Sequence, residues 1–148
     1  MSDPRPTPAL LAERRARMIR LFARAPMKAT TGMELSYDEE GRAAFDRPYA
    51  PSFDHALGAI HGGLFATLLD NAGWFTVAPH YATWIVTVEL QTRLLEPIAG
   101  EALRAIGRAV RVGRTVAVAE MEVRTASGLL AAVGSGTFVP TRTPISVD

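Results

Sequence analysis

The spacing of apolar residues changes several times along the chain, and each change marks an element. Leu10, Leu11, Met18, Ile19, Leu21 and Phe22 recur at helical spacing, with Arg14, Arg15, Arg17 and Arg20 between them. This predicts an amphipathic helix packed across the outside of the fold, with its arginines turned to solvent. The helix ends before Pro26, because a proline pushes the residue ahead of it out of the helical region. Residues 33–37 and 42–46 read as short strands joined by Asp38-Glu39-Glu40-Gly41, an acidic turn closing on glycine. Residues 48–58 read as a loop leading into His61.

From Gly62 to about Ala78 the apolar residues occupy nearly every face, the mark of a buried helix, and Pro79 stops it. The period then drops to two: Val86, Val88, Leu90, Thr92 and Leu94 alternate with Thr87, Glu89, Gln91 and Arg93. Turns at 97–100, at Gly113 and at Ser127-Gly128 separate further strands over 101–112, 115–125 and 129–139. From Pro140 the chain reads as a frayed tail. Connections this short favour antiparallel pairing, since parallel strands need a crossover of about a dozen residues. The expected architecture is α+β: one antiparallel sheet curved around a single long buried helix, with an extra N-terminal helix. Residues 1–29 form the extension, 30–140 the domain and 141–148 the tail.

Composition narrows the functions open to this fold. The 148 residues suit one domain, and 48% are hydrophobic, enough for a substantial core. A net charge of +1 lacks the basic excess of a nucleic-acid binder. The absence of cysteine removes thiolate nucleophiles and thiolate metal sites. No apolar run reaches the ~18 residues of a membrane span, and the polar, proline-rich start does not read as a secretory leader. A cytoplasmic protein is expected. The histidines at 55, 61 and 80 lack metal-ligand spacing with the carboxylates, and no serine sits in a nucleophile elbow.

Two features carry chemistry. Asp70 stands inside the all-apolar helix beside Leu68, Leu69, Ala72 and Trp74, where desolvation raises a carboxyl pKa and makes a better general base. Three structural readings compete: an ion pair with an arginine, a cap near Gly73, or a window to solvent. His61-Gly62-Gly63 opens the same helix, where the first N–H groups lack internal partners and the dipole favours negative charge. Two glycines there let a ligand approach the backbone, a cradle for an oxyanion. A plain glycine turn held by His61 is the competing reading.

Ala59-Ile60-His61-Gly62-Gly63 followed by Leu68-Leu69-Asp70-Asn71-Ala72 resembles the signature of the hot-dog acyl-CoA thioesterases of the phenylacetate-pathway (PaaI) type. Thr87 through Pro97 with Gly100-Glu101 resembles that family's central strand and turn. Val112-Gly113-Arg114-Thr115 and Gly128 through Ala132 resemble its later hairpins, so the likeness spans roughly residues 30–140. The resemblance implies Asp70 as general base or nucleophile, the Gly62 N–H as carbonyl polariser and Thr87 as a hydroxyl that places water. It also implies Arg111 and Arg114, flanking Gly113, as contacts for CoA phosphates. The substrate is then an acyl-CoA, medium-chain or aromatic. Phe65, Trp74, Phe75, Tyr81 and Trp84 are candidates to line its pocket, with membership of the core as the competing reading. No cofactor or metal is needed beyond the CoA of the substrate itself.

In that family two chains pair into one continuous sheet and share each site between them; dimers pair again into tetramers. One position departs from the pattern: His55, six residues before His61, stands where the family carries asparagine or glutamine. Paired with Asp70 it invites comparison with hot-dog hydratases and dehydratases, although Ala56-Leu57 replaces their Phe-Pro. A non-catalytic acyl-CoA binder is the other alternative.

Overall fold

The computed structural model describes residues 5–145. Thr7 caps the first helix, α1 (Pro8–Ala23), its hydroxyl accepting from the Leu10 N–H at 3.2 Å. A second short helix, α2 (Pro26–Thr31), restarts at the proline, which suits the first turn of a helix as well as it ends the previous one. Strands β1 (Glu34–Tyr37) and β2 (Ala43–Arg47) precede the long helix α3 (Gly62–Val77). Then come β3 (Thr83–Leu94), β4 (Leu103–Val112), β5 (Ala117–Thr125) and β6 (Leu130–Pro144). The six strands form one antiparallel sheet in the order β1-β2-β4-β5-β6-β3.

The sheet closes on α3 because its inner face is paved with small residues. Ala105, Ala119 and Ala132 are fully buried, and a Cβ at Gly107 would lie 2.2 Å from the Ala72 carbonyl oxygen. The helix supplies the volume in return through Leu64, Phe65, Leu68, Leu69, Trp74 and Phe75, all buried. Phe22 of α1 completes the core by meeting Phe45 and Phe75 edge to face, at 5.0 and 5.5 Å between ring centroids.

Four expectations change. The residues after Pro140 are not frayed as far as the structure describes them: β6 runs to Pro144 and Ile145 is buried, while 146–148 lie outside the described residues, as do 1–4 of the polar start. Two arginines of α1 are not solvated: Arg14 donates to the Pro79 carbonyl at 3.1 Å, and Arg15 lies 5.9 Å from the Tyr37 ring centroid. Strand β3 does not pair with its successor. Residues 95–102 cross the end of the sheet instead, anchored where the Ile60 N–H donates to the Ile98 carbonyl at 2.7 Å, and β3 pairs with β6 as the edge strand.

The strict alternation expected of β3 also breaks. Thr87 pairs with Phe138 and Glu89 with Thr137, so Val88 is the extra residue of a β-bulge. Ile85 and Thr87 turn inward before it and Leu90 after it, which reverses the parity of the strand.

Candidate functional site

Asp70 occupies the middle of α3, half-buried, with one carboxylate oxygen held and one open. The Thr87 hydroxyl donates to Asp70 Oδ1 at 2.8 Å. The bulge at Val88 lies immediately beside that contact, a position where bulges re-aim side chains. Burial pushes the Asp70 pKa up from the ordinary aspartate value, and the Thr87 hydrogen bond pulls against that shift. No arginine pairs with Asp70 among the described residues, so the ion-pair reading has no support. Oδ2 has no protein partner among the described residues and is the atom open to a reactant.

The His61 turn is built by its own loop. The His61 N–H donates to the Phe53 carbonyl at 2.8 Å, and Asp54 and Ile60 form an antiparallel bridge that closes the turn carrying His55. His61 caps α3: its Nδ1 accepts from the Gly63 N–H at 2.8 Å. A ring nitrogen that accepts carries no proton, so Nε2 bears it in the neutral imidazole. The same bond removes Gly63 as a donor. The Gly62 N–H, the first of the helix, meets no acceptor among the described residues and points out of the positive end of α3.

These two sets do not meet within one chain. Asp70 follows Gly62 by eight residues on the same helix, a rise of about 12 Å. Thr87 and Asp70 are brought together; His61, Gly62 and Gly63 are brought together; the span between is too long for one thioester carbonyl. His55 is exposed on the turn, its Nδ1 accepting from the Leu57 N–H at 3.1 Å. Arg111 and Arg114 are exposed at the β4–β5 turn, and Gly113 there accepts from the Tyr81 hydroxyl at 2.6 Å. Tyr81 lies just past the last turn of α3, so this group sits at the opposite end of that helix from Gly62.

Three of the five aromatic residues left open between pocket and core resolve to the core. Phe65, Trp74 and Phe75 are core, and the Trp74 indole donates to the Ile85 carbonyl at 2.9 Å. The cleft beside the His61 turn is instead lined by Met27, Thr31, Phe53, Asp54, Leu64 and Thr67, and holds about 410 Å³. A depression of about 490 Å³ on the open face of the sheet is lined by Arg42, Arg108, Glu120 and Glu122. Arg108 pairs there with Glu120, Arg42 with Asp38 and Glu40, and Glu122 with Arg124, and none of the candidate chemistry lies in it. Sequence reasoning missed Phe53 and Arg47, which support the His61 turn. The only signal was an arginine closing an apolar strand, which reads as an ordinary strand end.

Neighbouring proteins share this arrangement of elements. The family model described as the thioesterase superfamily matches residues 57–132, which include the His61 turn, Asp70 and Thr87. A protein of Saccharolobus solfataricus, provisionally named an esterase, is 33% identical over 108 residues, 72% of this chain and 77% of its own length. The BH2602 protein of Bacillus halodurans, solved with CoA, is 29% identical, with a TM-score of 0.75 over 91% of this chain and 93% of that one. The PaaI protein of E. coli shares the fold at a TM-score of 0.84, with 17% identity over 93% of this chain and 99% of its own. The chain therefore belongs to the thioesterase superfamily, with the hot-dog fold of a thioester hydrolase.

Proposed function

We propose that this protein hydrolyses acyl-CoA thioesters in a site shared by two copies of the chain, with Asp70 of one copy facing the Gly62 N–H of the other. The observation that carries the reading is the pair of half-sites on α3: an acid with one free oxygen, and a helix N-terminus with one free N–H. They stand about 12 Å apart and complete one another only across an interface. The free edge of the sheet supplies that interface. Strand β3 is 12 residues long, has no neighbour on one side among the described residues, and leaves Val86 and Val88 40% and 57% exposed. A long apolar edge is an aggregation hazard unless it is paired. Antiparallel pairing of β3 with its copy continues the sheet and brings Thr87 and Asp70 toward the partner's α3.

In this reading the thioester carbonyl oxygen lies against the Gly62 N–H, which strengthens its bond as negative charge develops. Asp70 Oδ2 takes a proton from water as the water oxygen adds to the carbonyl carbon. The tetrahedral species collapses with cleavage of the carbon–sulfur bond, the proton held on Asp70 passes to the departing sulfur, and the thiol of CoA leaves with the carboxylic acid as the other product. In the nucleophilic variant Oδ2 adds to the carbon and expels the thiolate to leave a mixed anhydride on Asp70. Water then hydrolyses the anhydride to the carboxylic acid and the free Asp70 carboxylate while one of the water protons goes to the thiolate. Thr87 fixes the carboxylate so that Oδ2 faces the reaction. The cleft beside Met27, Phe53 and Leu64 suits an apolar acyl group of medium length or an aryl group. Arg111 and Arg114 are the proposed contacts for CoA phosphates.

The test is thiol release from short, medium, long and aryl acyl-CoAs by the wild type and by Asp70→Asn. Turnover by the wild type that collapses in the folded variant supports the reading. A silent wild type, or a variant as fast as the wild type, contradicts it.

A further inference from the structure

Arg47 ends β2 with only 1% of its surface exposed, and its pairing is incomplete: the Asp54 carboxylate is near enough to favour its charge, but no ion pair with it forms among the described residues. Its Nε donates to the Thr31 carbonyl at 3.1 Å, while Nη1 and Nη2 are buried without an acceptor among the described residues. Arginine stays charged under all ordinary conditions. A buried cation with unmet donors is a liability for stability, and a well-packed apolar side chain of similar volume is often neutral or better. Stability alone therefore does not explain an arginine here.

Its surroundings offer another explanation. The guanidinium carbon lies 4.7 Å from the centroid of the Phe53 ring, a cation–π contact in a desolvated setting. Phe53 belongs to a single 3₁₀ turn, residues Pro51–Phe53, with little other regular structure to hold it. Its carbonyl accepts the His61 N–H at 2.8 Å, and His61 in turn takes the Gly63 N–H, leaving Gly62 as the open donor. A direct line of contacts thus runs from Arg47 through Phe53 and His61 to the N-terminus of α3.

We infer that Arg47 is a positioning residue for the oxyanion site, fixing the Gly62 N–H by clamping the Phe53 ring and, through its carbonyl, the His61 turn. This rests on the reading of Gly62 as the carbonyl polariser. A donor that acts on the developing charge contributes to the transition state more than to substrate binding, so its misplacement lowers kcat and spares KM. Displacement of the turn by a fraction of an ångström leaves the donor present but badly aimed.

The experiment compares wild type, Arg47→Met, Arg47→Lys and Phe53→Leu by thiol release on the best acyl-CoA, with thermal unfolding of each. Arg47→Met is expected to lose about tenfold in kcat and to keep KM within about twofold wherever thermal unfolding shows it folded at the assay temperature. Arg47→Lys keeps a cation under the ring and recovers most of the loss, which a simple filling of volume does not explain. Phe53→Leu, read on the shortest acyl-CoA that turns over so that its place in the acyl cleft does not enter, shows the same kcat loss as Arg47→Met. A folded Arg47→Met with wild-type kcat, or one altered in KM alone, overturns the inference. If Arg47→Met does not fold, Phe53→Leu decides it, and wild-type kcat there overturns it equally. A wild type silent on every thioester, or an Asp70→Asn variant at full speed, removes the thioesterase reading and this inference with it. An active wild type with a dead Asp70→Asn and an unaffected Arg47→Met removes this inference alone.

Discussion

Replacing Gly62 by proline deletes a single N–H from the proposed oxyanion site, and the local structure accepts the change. Gly62 is the first residue of α3, the position where proline is favoured because its missing hydrogen has no helical partner. The residue before it is already suited: His61 has φ −64° and ψ 136°, the extended conformation a following proline requires. No protein hydrogen bond is lost, since the Gly62 N–H has no acceptor among the described residues. The one conflict is steric. A Cβ at Gly62 would lie 2.6 Å from Leu94 Cδ1, the tip of a flexible side chain that is 54% exposed and free to turn away. Stability should therefore stay within about 1 kcal/mol of wild type, a change of a few degrees in Tm. Catalysis should not. Loss of one oxyanion donor costs about 10²–10³ in kcat, or about 2.7–4 kcal/mol, with KM little changed. Thiol-release kinetics and thermal unfolding on the same preparation read both quantities. A folded Gly62→Pro protein with wild-type kcat would refute the assignment of this N–H.

Other consequences concern Asp70. Thr87→Val removes the hydroxyl that favours the ionised carboxylate while keeping the shape of the side chain, so the acid limb of the kcat/KM profile moves to higher pH. The move is about one pH unit for each 1.4 kcal/mol of lost hydrogen bond, and an unmoved limb or one at lower pH counts against Asp70 as the base. Asp70→Asn should raise Tm at neutral pH. The folded-state pKa of Asp70 lies above its unfolded value, so its ionisation opposes folding; the stability it contributes when protonated is present below the unfolded pKa and is lost as pH rises through the folded one. The Tm advantage of the variant therefore opens as pH rises above the ordinary aspartate range and closes below it. An advantage independent of pH contradicts this cause.

The elements were legible where one rule dominated. The all-round apolar run after Gly62 reads as a buried helix because no amphipathic alternative fits it, and α3 spans the expected residues almost to the end. Asp70 is conspicuous in that run for the same reason, but its hydrogen bond from Thr87 is a contact between distant parts of the chain that the local pattern does not encode. What failed depends on contacts that local pattern does not encode. The bulge at Val88 follows from how β3 lies against β6, and without it Thr87 and Leu90 fall on opposite faces. The edge position of β3 depends on where the 95–102 crossing is tied, through Ile98, to Ile60. The arginines of α1 obey the same limit: nothing in their spacing says that Arg14 reaches Pro79. Only the resemblance set Gly62 apart from Gly63, and the physical difference, a satisfied N–H against an open one, comes from the His61 side chain.

The central claim is that each site takes its acid from one copy and its N–H from another. Mixing two inactive variants tests it directly: Asp70→Asn and Gly62→Pro are unfolded together, refolded at equal concentration and assayed for thiol release. Random pairing of a symmetric dimer makes half the molecules mixed, and each mixed dimer holds one intact site beside one doubly defective site. The mixture should therefore recover about a quarter of wild-type activity. Activity no higher than the mean of the two parent variants would contradict a shared site.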